Sequence, residues 1–66
     1  MYNQTVGDRI RKQRRSLRMP QAQLSELALI APSTIALVET GAHYPRPSTL
    51  KAIAAALGVT VHELVG

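Results

Sequence analysis

The chain has no cysteine, so neither a disulfide framework nor a thiolate metal site can staple it. It has no apolar run of the ~18 residues that a membrane span needs. Nothing near the start follows the charged, apolar, small-residue order of a signal peptide, so a cytoplasmic setting without membrane contact is expected. His43 and His62 stand far apart in sequence and predict no metal site. Nucleophile-elbow, P-loop and H-E-x-x-H patterns are missing, and a chain this short has little depth for a water-excluding pocket, so neither catalysis nor a cofactor is expected. Asn3-Gln4-Thr5 fits the glycosylation triplet but reads better as the approach to a helix cap. Internal repeats and low-complexity tracts are also absent. What is present is a globular composition, 45% apolar and 18% charged in 66 residues, enough for one domain spanning residues 1–66 and too little for two.

The net charge is +4, and its placement matters more than its size. Arg9, Arg11, Lys12, Arg14, Arg15 and Arg18 face Asp8 alone in the first 18 residues, whereas Arg46 and Lys51 are outnumbered by Glu26, Glu39 and Glu63 in the rest. A basic block of this kind is either a solvated helix face or a surface for an anionic partner, nucleic acid or membrane.

Helix punctuation is dense and strand alternation is missing, which predicts an all-α fold. Thr5 and Asp8 suggest the capping of a first helix that runs to about Leu17. At 100° per residue, Val6, Ile10 and Leu17 fall within about 40° of one another as a core stripe, with Arg11, Arg15 and Arg18 about 80–140° from Ile10. Arg14 lies about 40° from Ile10, at the core edge, where its guanidinium would seek a carboxylate. A second helix is expected over about 21–29 behind Pro20, and a third over about 32–40, opened by Ala31-Pro32-Ser33 and closed by Gly41. After a loop through His43, Tyr44, Pro45 and Arg46, Pro47 starts a fourth helix with Leu50, Ile53, Ala54 and Leu57 on one face, ending at Gly58. Thr60 and Glu63 form a T-x-x-E capping box for a short fifth helix. On the third helix the wheel buries Ile35 and Val38, sets Glu39 at the core edge about 40° from Ile35, and turns Ser33, Ala36, Leu37 and Thr40 outward.

Five short helices with a tight turn between the second and third form the pattern of a helix-turn-helix. The residues that carry a closer likeness are Val6-Gly7-Asp8-Arg9-Ile10-Arg11 with Arg14, Gln21-x-x-Leu24, Ser33-Thr34-Ile35 followed by Val38-Glu39-x-Gly41, and Pro45 with Thr49-Leu50 and Ala56-Leu57-Gly58-Val59. In this order and spacing, residues 6–64 resemble the phage repressor and Cro-like family, also called the xenobiotic-response-element family. The resemblance implies a five-helix, lambda-repressor-like, bacterial or phage-encoded regulator of transcription. It would bind double-stranded operator DNA as a homodimer, with the third helix in the major groove and the second across the backbone. Carried over, it implies base-facing roles for Pro32, Ser33, Ala36, Leu37 and Thr40, and a phosphate contact for Gln21, with Arg18, His43 and Arg46 as further phosphate contacts. Arg14 and Glu39 hold the positions of an arginine and a glutamate that pair between the first and third helices in some members. Val61, Leu64 and Val65 on the fifth helix are the expected dimer surface.

The chain also departs from the family. Arg, Gln, Asn or Lys usually occur among the base-facing positions, and here only the Ser33 and Thr40 hydroxyls remain, so bidentate reading of guanine or adenine is excluded. Either thymine methyl contacts and DNA shape replace it, or the helix keeps backbone affinity alone. Leu29 replaces the usual turn glycine, which suggests a turn without a positive φ, and Ala31 and Pro20 replace capping hydroxyls. Leu27, Leu29 and Leu37 are apolar for this surface, and Leu27 is expected in the core. Were all three exposed, they would support the alternative of a repressor-like fold used as a protein-interaction module.

Overall fold

In the computed structural model, which describes residues 4–66, five helices follow one another: α1 (Gln4–Ser16), α2 (Gln21–Ala28), α3 (Pro32–Thr40), α4 (Pro47–Leu57) and α5 (Val61–Val65). No strand occurs among the described residues. Asn3 lies outside them, and Thr5 lies within α1, not at its cap. Asp8 instead accepts a hydrogen bond from Arg11 at 2.6 Å, one turn further along the same helix.

α1 packs against α3 on one side and α5 on the other, while α2 is held between α3 and α4. The core is built from the apolar stripe of each helix, with Ile10, Leu24, Ile35 and Ile53 fully buried at its centre. Gly7 marks the closest approach of α1 to α3. A Cβ at this position would lie 2.7 Å from the Glu39 carbonyl oxygen, so the two helices touch at backbone distance only because the side chain is a hydrogen.

The end of α1 corrects the wheel. Leu17 is 47% exposed because the helix stops at Ser16 and the chain turns through Arg18 at φ 55°. The Met19 N–H then donates back to the Arg14 carbonyl at 3.0 Å, and Met19 takes the buried place that the wheel assigned to Leu17. Helix periodicity has no authority past the last helical residue.

The turn between α2 and α3 corrects a second expectation. Leu29 has φ 58° and ψ 44°, the left-handed conformation, although it carries a branched side chain that gains nothing there, being 91% exposed. The conformation is imposed by hydrogen bonds on either side: Leu29 N–H to the Glu26 carbonyl at 3.3 Å and Ile30 N–H to the Ser25 carbonyl at 3.0 Å. The buried Ser25 hydroxyl returns a bond to the Ile30 carbonyl, clasping the turn from below. Leu27 is likewise exposed, at 54%, and lies outside the core.

α3 starts at Pro32 behind Ala31, which offers no side-chain cap, and ends at Gly41 with φ 84°. α4 runs from Pro47 to Leu57 and is closed by Gly58, with Leu50, Ile53, Ala54 and Leu57 buried. At α5 the capping box is complete: Glu63 N–H donates to Thr60 Oγ1 at 3.1 Å and Thr60 N–H to Glu63 Oε2 at 2.9 Å. Leu64 is 2% exposed and belongs to the core of this one chain, so it is not free to form the dimer surface expected of it. Val65 remains 38% exposed and Val61 half-buried.

Candidate nucleic-acid interface

The outward face of α3 is a narrow stripe. Ser33, Leu37 and Thr40 lie within about 60° of one another on the helix wheel, and all three are exposed. Pro32 at the start is exposed, while Ala36 on the flank is half-buried. The Thr40 hydroxyl donates to the Leu37 carbonyl in its own helix at 3.0 Å. That carbonyl also accepts the His43 N–H at 3.2 Å, so the loop after α3 is fastened to the helix end. The Ser33 hydroxyl and the half-exposed Leu37 side chain dominate what α3 offers to a partner.

Behind this stripe sits a buried polar network that ties α1 and α2 to α3. Arg14 and Glu39 are 8% and 1% exposed, and they pair through two parallel bonds, Nε to Oε2 at 2.7 Å and Nη2 to Oε1 at 3.0 Å. Arg14 Nη1 donates to the Met19 carbonyl at 2.7 Å, reaching the turn before α2. Gln21, the first residue of α2, donates its side-chain amide to Glu39 Oε1 at 3.0 Å. One guanidinium and one carboxylate thus join α1, the α1–α2 turn, α2 and α3. The planar guanidinium fork meets a carboxylate in matching geometry, and each remaining lone pair of Glu39 Oε1 is used.

Gln21 therefore has a role that its sequence position did not disclose. The resemblance pointed its side chain toward a phosphate, whereas one amide N–H is committed inward to Glu39. The wheel set Arg14 and Glu39 on core edges and the resemblance implied that they pair, as they do, but Gln21 lies 18 positions before Glu39 on another helix. Gly7 did leave a signal: glycine costs about 1 kcal/mol in a helix interior, and its presence there points to close packing.

The other residues expected at phosphate contacts are all exposed. Arg18 is exposed in the turn leading into α2, His43 is exposed on the loop tied to α3, and Arg46 is exposed immediately before α4. The basic block divides four ways, with Arg14 already bound to Glu39. Arg11 is paired with Asp8. Arg9 is turned toward Gly66 at the end of α5, with Nη1 buried and without a hydrogen-bond partner among the described residues. Lys12, Arg15 and Arg18 are left exposed. Leu27 and Leu29 are exposed on the α2 end of the turn.

Comparison with known proteins places this arrangement. A family model described as helix-turn-helix matches residues 10–64. The immunity repressor protein of Bacillus phage phi105 is 42% identical over 62 residues, covering 94% of this chain and 43% of the relative. The chain thus spans less than half the length of that curated relative. Among solved structures, the N-terminal DNA-binding domain of SinR from Bacillus subtilis superposes with a TM-score of 0.91 at 28% identity, covering 97% of this chain and 94% of that one. The P22 c2 repressor, solved in complex with a synthetic operator, gives 0.88 at 28% identity and covers 96% of both chains. With the family model matching most of the chain and all five helices superposing on repressor domains, the chain belongs to the helix-turn-helix family of repressor-like domains.

Proposed function

We propose that this domain binds operator DNA as a transcriptional repressor, with α3 in the major groove and the start of α2 against the phosphate backbone. The observation that carries the reading is the rigid seating of an exposed α3 stripe beside the α2 N-terminus, held by Arg14, Glu39 and Gln21. The likeness to a repressor solved on its operator supports the same placement. Arg18, Gln21, His43 and Arg46 supply phosphate contacts from three segments around α3. Ser33, Ala36, Leu37, Thr40 and Pro32 face the bases. Two copies act together on half-sites about 34 Å apart, and Val65 with the edge of Val61 provides the apolar surface through which they meet.

Selection from a random duplex library at moderate salt tests this directly. The expected product is a two-fold related motif whose binding weakens steeply with added salt. A library that stays flat, with no retained duplex, rejects the proposal. That outcome would favour the second reading, a protein-interaction module, for which the 54% and 91% exposures of Leu27 and Leu29 speak.

A further inference from the structure

The side chains of α3 restrict which chemistry can read a base. Residues 32–40 contain no Arg, Lys, Asn or Gln, so none of the forked pairings to guanine or adenine can be made from this helix. Glu39, the one charged residue of α3, could accept from a cytosine amine. It is 1% exposed, and both of its oxygens are bonded to Arg14. Thr40 spends its hydroxyl proton on the Leu37 carbonyl. At the centre of the stripe stands Leu37, 48% exposed, an apolar side chain on a helix whose neighbours at the start and flank, Pro32 and Ala36, are apolar as well.

An apolar side chain in the major groove has one specific counterpart, the C5 methyl of a pyrimidine, which other bases and cytosine lack. Resting on the DNA-binding reading above, we infer that Leu37 is the specificity-determining residue of this domain and that it recognises C5-methyl pyrimidines, thymine in ordinary DNA, by packing against the methyl group. Ser33 then adds a single hydroxyl contact, and sequence preference comes mainly from where methyl groups project into the groove. Leu37 is well suited to this because half of its surface is left exposed by the fold and is free to pack on a methyl group.

The test uses the duplex enriched by selection, with each thymine replaced in turn by uracil, which removes the methyl and leaves every hydrogen-bonding edge intact. Binding should weaken about fourfold at one or two positions in each half-site, the factor that burying one methyl-sized group confers. In Leu37→Ala the same duplexes should bind with a smaller difference between thymine and uracil, and in Leu37→Gln the difference should vanish as preference moves to adenine. The exposure of Leu37 makes both variants compatible with folding, and the wild-type comparison needs neither. The methylated source is distinguished by placing 5-methylcytosine·guanine at the sensitive position. Binding as tight as with thymine makes the C5 methyl in general the ligand, and binding intermediate between thymine and unmethylated cytosine restricts it to thymine. Equal affinity for thymine and uracil at every position of a selected motif overturns the inference while leaving DNA binding intact. Salt-sensitive binding without any enriched motif overturns it in favour of backbone contact alone, and no binding to any duplex overturns the reading on which it rests.

Discussion

Leu29 holds a left-handed backbone, φ 58°, with its side chain 91% exposed, so it bears the steric cost of that conformation without any packing in return. The cost is about 1–2 kcal/mol for a residue with a Cβ. Leu29→Gly should therefore raise stability by about 1 kcal/mol, which in a domain of this size corresponds to a thermal midpoint about 4–8 °C higher. A lower midpoint in calorimetry would show that Leu29 packs on something in the folded state.

Glu39 presents the opposite balance, with a charge withdrawn from water and compensated entirely by its partners. Removing one member of a buried pair strands the other at a cost of about 3–5 kcal/mol. Glu39→Gln should thus remove a large share of the folding stability and lower the urea midpoint markedly, given the total of about 5–15 kcal/mol usual for a domain. Replacing Arg14 and Glu39 together by methionine should recover much of the loss in urea titrations, because no uncompensated charge remains. Additive losses in the double variant would contradict the coupling.

At the scale of elements, α5 is too short to persist by propensity alone and relies on its capping box. Hydrogen bonds from the Thr60 backbone N–H and hydroxyl hold the Glu63 carboxyl below the ordinary carboxylate range. A lowered folded-state value means that the cap contributes fully above the ordinary glutamate range, and its contribution is lost as pH falls through that range to the lower folded value. The Thr60 amide should therefore shift and exchange faster on acidification, following the titration of Glu63, and Glu63→Gln should abolish that dependence. An amide insensitive to pH across the window would argue against the cap. The α2–α3 turn is held differently, by Ser25 and Ile30 exchanging bonds across Leu29, so two elements of one fold are terminated by unrelated devices.

At the scale of the whole molecule, the proposed DNA binding draws on a charge distribution that spans segments. Arg18 precedes α2 and Arg46 precedes α4, far apart in sequence, yet both flank α3 in the proposed complex. Arg18→Ala and Arg46→Ala should each weaken binding to all duplexes about equally and lower the logarithmic salt slope by about 0.9. Measured slopes equal to wild type would remove those residues from the phosphate contacts. In the proposed dimer the exposed Val65 supplies an apolar surface, whereas Leu64 is spent on the chain's own core.

The division between what was readable and what was not follows from the range of the forces involved. Local rules suffice where a residue answers to its near neighbours, which is why Pro32, Pro47, Gly41, Gly58 and the Thr60–Glu63 box mark helix ends correctly. Periodicity likewise identifies Ile10, Ile35, Val38 and Ile53 as buried, since a helix presents the same face whatever covers it. Leu17 and Leu27 escape that logic: each sits at a helix end or edge, where burial depends on what lies opposite. Leu29 shows the limit most plainly, because a backbone preference of about 1 kcal/mol is overridden once Ser25, Ile30 and the packing of α2 against α3 fix the turn. The sequence alone determined the helices, their order and the apolar character of α3. Only the tertiary structure decided that Gln21 serves Glu39, that Gly7 admits α3 at backbone distance and that Leu64 is withdrawn from the surface, because each depends on contacts between elements whose separation in space no local rule encodes.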